Sequence, residues 1–229
     1  MTMGGSGEYS VTRGDKALPR RLWHIFGGLS VPLSSLRAPQ GVFLASLFSI
    51  TVAAVALDMV RQRSPGVNQR FILIFAPLLR EGEGSGFTAS SYFLLAAFTV
   101  FLLCPASVAA LAMVFAAVGD PVAGIAGERW GKLRIRASEG ARAAFRLELV
   151  QGRLPAAGEK SVEGSVACLV ASLVSGMALA VVTGMPLWVV VVGAASATMA
   201  ELFSLSVNDN LSAPLVSAGV ITVLQSLVL

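Results

Sequence analysis

Two stretches of this sequence set carboxylates, lysines and glycines beside long apolar runs, a combination suited to holding a metal-bound polyphosphate. The first runs Val118-Gly-Asp-Pro-Val-Ala-Gly-Ile-Ala-Gly-Glu-Arg-Trp-Gly-Lys132. Asp120 follows an apolar run directly, and a carboxylate at bilayer depth costs roughly 2.5–3.5 kcal/mol, so it is usually kept for function. Gly119, Gly124, Gly127 and Gly131 allow close backbone approach to a ligand or another helix, and Lys132 adds a cation. Asp120 could then bind the magnesium ion of the polyphosphate. Helix packing through Gly127 and Gly131 would explain the glycines, but neither Asp120 nor Lys132. A Walker A loop is excluded: Ala126 stands where its first glycine belongs, and Leu133 where Ser or Thr should be.

The second stretch, Gly158-Glu-Lys-Ser-Val-Glu-Gly-Ser165, reads in two ways. Ser161 could cap a helix. Equally, Lys160 and Ser161 could reach phosphate oxygens, with Glu163 assisting a metal. Further candidates are Asp209 and Asn210 in Asn208-Asp-Asn-Leu-Ser-Ala-Pro214, which a turn would also explain, and Glu201, a carboxylate in an apolar run that needs a partner. Asp58 and Arg61, spaced i and i+3, could pair on a helix. Arg80 and Glu83 stand between apolar segments, and His24, the sole histidine, is carried as a catalytic candidate although a lone histidine is more often structural.

These side chains must be positioned by membrane elements. The chain of 229 residues is 55% hydrophobic and 13% charged, with mean hydropathy +0.76, too apolar for a soluble domain of this length. Apolar runs without alternation indicate an all-α, polytopic transmembrane bundle of about seven spans. The spans fall near Leu22–Leu36, Gly41–Val60, Ser91–Cys104, Ala106–Ala123, Ser165–Thr183, Leu187–Leu205 and Ser212–Leu229, while Phe71–Leu79 is too short to cross and reads as re-entrant, interfacial or part of a tilted span. Residues 1–21 read as a cytoplasmic tail and 22–229 as a single catalytic domain, with a cytoplasmic loop over about 127–164. Arg142, Arg146, Glu148 and Arg153 among Ala, Phe and Leu suggest an amphipathic surface piece in that loop, a solvated loop being the alternative. Cys104 and Cys168 lie in apolar runs and read as small hydrophobes. The formal charge of +4 reflects Lys and Arg between spans, which marks the cytoplasmic side rather than a nucleic-acid partner. Every candidate maps to that face.

In these motifs the chain resembles the CTP-dependent lipid-alcohol kinases: dolichol kinase, phytol and farnesol kinases, and the yeast-type diacylglycerol kinase. The matching residues are Arg21…His24…Gly27, Arg80…Glu83…Phe87-Thr-Ala-Ser-Ser-Tyr92, Gly119-Asp-Pro-Val-Ala…Gly127…Gly131-Lys132, Lys160-Ser-Val-Glu-Gly-Ser165 and Glu201…Asp209-Asn-Leu-Ser-Ala-Pro214. Ala89-Ser90 departs from the expected Gly-Ala-type pair. The resemblance implies transfer of the γ-phosphoryl group of CTP, with Mg2+, to the hydroxyl of a polyprenol, phytol, farnesol or diacylglycerol. It implies Asp120 and Asp209 as metal ligands or proton acceptor, Lys132, Lys160 and Arg80 on phosphates, and Ser161 with the glycine backbone completing the cradle. A cytidylyltransferase acting on a lipid phosphate is the nearest rival, although its long Lys-Arg…Lys-Asp…His-Gly-Gly signature is missing; a small transporter or lipid-binding protein is the second.

Overall fold

The computed structural model describes residues 13–79, 83–137, 145–149, 160–203 and 208–228, and nearly all of them are helical. Prolines set several helix starts, because the ring suits a first turn whose N–H groups have no intrahelical partner. Pro39 precedes α2 (Gln40–Arg63), Pro65 opens α3 (Pro65–Phe75), Pro105 precedes α5 (Ala106–Trp130) and Pro186 precedes α7 (Leu187–Leu202). Two other starts use side-chain caps: Thr88 accepts from Ser91 N at the head of α4 (Ala89–Leu103), and Ser161 from Gly164 N at the head of α6 (Val162–Thr183). Gly184 ends α6 in the left-handed conformation, φ 69°, where a side chain would be strained. α1 (Arg13–Ser35) and α8 (Asp209–Val228) complete the helical set.

Four helices, α2, α5, α6 and α8, are long and apolar enough to cross a membrane, as an integral membrane protein requires. α4 and α7 are apolar but shorter, at 15 and 16 residues. All seven predicted apolar segments fall on helices. α3 has 11 residues, none buried, and exposes Leu73 and Ile74. Its length of about 16 Å at 1.5 Å per residue is half a hydrocarbon core.

Two expectations need correction. α1 begins at Arg13, inside the predicted tail, because the polar composition of residues 13–21 does not forbid helix; the tail residues before 13 lie outside the described set. The predicted amphipathic loop over 127–164 is partly structured otherwise. α5 continues to Trp130, and β1 (Leu133–Ala137), β2 (Phe145–Leu149) and β3 (Lys160–Ser161) form an antiparallel sheet in the order β2-β1-β3. The physical reason is visible in Leu133-Arg-Ile-Arg-Ala and Phe145-Arg-Leu-Glu-Leu, where apolar and charged residues alternate with the period of a strand. Arg142 and Arg153 lie outside the described residues.

α5 forms the centre of the bundle. Of its most apolar stretch 72% is buried, against 22–33% for α2, α6 and α8. It packs most against α6 and α1, and also against α8, α7 and α4. Its many alanines let neighbours come close, and Phe115 fills the space left by glycines: a Cβ on Gly176 of α6 or Gly193 of α7 would lie 2.7 Å from that ring. Phe115 is therefore matched by missing side chains on both α6 and α7.

Candidate functional site

Two charged groups stand at one end of the bundle, where α2, α5 and α7 finish and α4, α6 and α8 begin. The first builds a wall. Asp58 and Arg61 on α2 are each 1% exposed and pair at 2.6 Å. The second Asp58 oxygen accepts from Thr88 N (2.9 Å), Thr88 Oγ1 (3.1 Å) and Ser91 Oγ (2.6 Å), so it fixes the start of α4. Arg61 donates to the Glu83 carbonyl at 3.0 Å, to the Gly86 carbonyl and to Asn68 Oδ1 at 3.1 Å, and stacks over Phe71. Glu83 Oε1 in turn accepts from Ala89 N at 3.2 Å. Residues 83–90 are thereby held against α2 and α3.

The second group gathers side chains from four elements. Asp120 sits on α5 immediately before Pro121, Glu201 in the last turn of α7, Asp209 at the first residue of α8, and Lys160 on β3. One carboxylate oxygen from each of Asp120, Glu201 and Asp209 lies within 4.8 Å of the other two. Lys160 Nζ donates to Glu201 Oε1 at 2.5 Å and to Asp209 Oδ2 at 2.7 Å. Pairing of Lys160 with Ile135 in the β1–β3 register fixes the lysine backbone, so the small sheet aims this cation. Asp209 gains from the positive end of the α8 dipole, whereas Glu201 at the end of α7 opposes its helix and relies on Lys160. Burial works to depress the Lys160 ammonium, but the Glu201, Asp209 and Asp120 carboxylates outweigh it and raise it above the ordinary lysine value of 10.5. Lys160 is a fixed cation.

Other candidates lie elsewhere. Glu163 accepts from Lys132 N at 2.9 Å and Leu133 N at 3.2 Å, so it ties α6 to the start of β1 and stands apart from the three grouped carboxylates. The Lys132 side chain is exposed. Gly127 and Gly131 face Ser161: a Cβ on either would lie 2.9 or 2.8 Å from Ser161 Oγ, and Ser161 itself caps α6. Gly119 lies against Cys168 and Ser172. These glycines thus bring α5 and α6 together. His24 Nε2 lies 3.3 Å from the Ala116 carbonyl oxygen, and its ring meets Phe93 edge-on. Asn210 is buried beside Asp209. Arg80 lies outside the described residues. Two residues were not singled out from the sequence. Arg134, buried and donating to the Gly127 carbonyl at 3.0 Å, could have been found from the strand-like alternation around it. Arg20, beside the cleft described next, carries no such signal.

Two clefts meet at this group. The inner one, about 300 Å³ with its opening, is lined by Asp120, Glu201 and Asp209 together with apolar Phe115, Cys168 and Ala213. The outer one, about 640 Å³ with its opening, lies between Arg20, Arg21 and His24 on one side and Glu83, Ala89 and Ser90 on the other. Asp120 and Asn210 line both.

The donor set fits a hard divalent cation, since Mg2+ takes carboxylate oxygens. Opposite ligands of such an ion stand about 4.2 Å apart, so a spread of up to 4.8 Å suits one or two direct carboxylates with water completing the shell. Comparisons with protein-family models, curated proteins and solved structures returned no match. What fold and site define is a nearly all-helical chain, able to cross a membrane, with a lysine-bridged acidic cluster at one end of its bundle.

Proposed function

We propose that this chain is a membrane-embedded kinase that transfers the γ-phosphoryl group of CTP to the hydroxyl of a lipid alcohol. The observation that carries the reading is the meeting of Asp120, Lys160, Glu201 and Asp209, residues far apart in sequence, where two clefts join. Acidic groups for a divalent cation and a lysine for phosphate oxygens are the parts phosphoryl transfer needs, because it depends on positioning and charge neutralisation more than covalent catalysis. Cytidine itself comes only from the resemblance in the motifs. In this reading seven helices span, α3 lies at the interface, and basic residues between spans put the site on the cytoplasmic face.

Asp209 and Glu201 would hold Mg2+, with water completing its shell, and the ion when bound would neutralise charge on the β- and γ-phosphates. Lys160, now shared between Glu201 and Asp209, would turn one N–H toward the phosphates. The lipid hydroxyl oxygen attacks the γ-phosphorus, its proton passes to Asp120, and the bond to the bridging oxygen breaks to release CDP. Asp120 suits the proton because it alone of the three carboxylates faces both clefts.

Purified protein in liposomes, given CTP, Mg2+ and polyprenol, phytol, farnesol or diacylglycerol, tests this directly. CDP and a phosphorylated lipid are expected. Pyrophosphate released with a lipid phosphate as acceptor would replace the kinase with a cytidylyltransferase, and neither product from any acceptor would remove both.

A further inference from the structure

We propose that the outer cleft binds the headgroup of the acceptor lipid, whose chain leaves sideways between α1 and the segment ending at Leu78. The inference rests on the kinase reading and deepens it by assigning the two clefts to different substrates.

Their polar linings differ first. The outer cleft is lined by Arg20 and Arg21 against Glu83, Glu128 and Asp120, two cations facing three carboxylates, and Arg21 is already paired with Glu128 at 2.5 Å. Such a mixed surface of paired charges offers hydrogen bonds to a neutral hydroxyl. The inner pocket is lined by the grouped carboxylates, two of which Lys160 bridges, and is where an ion would sit.

Packing then supplies an entrance. α1 runs along α5 and touches α2 lightly, but among the described residues it has no comparable contact with α3 or α4. Its meeting with α4 includes the edge of His24 against Phe93, with ring centroids 5.6 Å apart. A seam is left between α1 and the wall that Asp58 and Arg61 hold in place. Its sides are apolar: Trp23, 56% exposed, lines the cleft on α1, with exposed Leu22 and Phe26 beside it, and Leu78 lines the other side beyond exposed Leu73 and Ile74. The polar inner end at Asp120 and Asn210, opening between apolar flanks, matches an amphiphile whose hydroxyl leads.

A long-chain alcohol carrying a diazirine in its tail, photolysed in liposomes holding the wild-type chain, maps the path by mass spectrometry. Adducts on α1 near Trp23 and on residues 71–79, competed by unlabelled alcohol, are expected; adducts confined to α6 and α7 would overturn the assignment. In parallel, Ser90→Trp, a substitution at an exposed position lining the cleft, should raise KM for the alcohol at least tenfold and leave KM for CTP within twofold. Trp23→Ala, also peripheral, serves if Ser90→Trp fails to fold and should weaken the alcohol alone. A loss of CTP affinity with unchanged alcohol kinetics would sink the proposal. Should the wild type phosphorylate no alcohol, the kinase reading falls, while the adducts still decide whether an amphiphile enters here.

Discussion

The two buried charge groups at this end of the bundle follow opposite plans. Around Asp58 and Arg61 every strong donor and acceptor is answered locally, by each other, by Thr88 and Ser91, and by backbone carbonyls of residues 83–86. That group is formally neutral and almost inaccessible. Around Lys160, three carboxylates face one ammonium, and side-chain exposure rises to 21% for Lys160 and 15% for Asp209. The second group is rich in carboxylate oxygens, the donors a divalent cation takes. A closed network of the first kind fixes backbone; a carboxylate-rich one open to a cleft is suited to a ligand.

Substitutions should separate the two plans. The largest effect is expected for Asp120→Asn, with at least a hundredfold loss of phosphoryl transfer and an unchanged or raised melting temperature, since removing one of three crowded carboxylates relieves repulsion. A fall in both activity and stability would make Asp120 architectural instead. Asp58→Ala should do the reverse, costing roughly 3–5 kcal/mol of stability by stranding a buried Arg61. Unfolding in detergent measures that loss, and an unaltered midpoint would refute the closed network. Third, Mg2+ should raise the melting temperature of the wild type but not of Glu201→Gln/Asp209→Asn, with a gain of about 2.7 kcal/mol at a hundred times the dissociation constant. Equal shifts in both proteins would place the ion elsewhere. Ser161→Ala should cost about 1 kcal/mol through the lost cap, read by the same unfolding assay. The smallest effect concerns pH. Because the Lys160 value is raised, its stabilising contribution is present below 10.5 and lost only as pH climbs through the higher folded value, so metal-free stability attributable to Lys160 should stay flat between pH 6 and 9. A dependence on pH in that window that Lys160→Arg abolishes would contradict the assigned partners.

Much of the fold was legible because a membrane span is written in consecutive residues. All seven apolar runs fall on helices, and Phe71–Leu79 overlaps the short helix α3. Asp58 with Arg61 was legible for the same local reason, being one helical turn apart. Lys160 and Glu201 were each singled out, yet nothing in spacing pairs residues 41 positions apart; that contact exists only once α6, α7 and the sheet have packed. Glu163, grouped by its motif with metal ligands, instead serves two backbone amides, because a motif records which residues recur and not which way they point. The sheet went unseen although its alternation was present, since charged residues between apolar ones fit an amphipathic helix as readily as two short strands.

The depth at which α5 is embedded restricts where the molecule can flex. A rod wedged on all sides by other helices cannot rotate or slide without disturbing every neighbour, so Asp120 is carried on a fixed support. In the kinase reading, room for an entering chain would come from the rim, where α1 packs chiefly along the α5 flank.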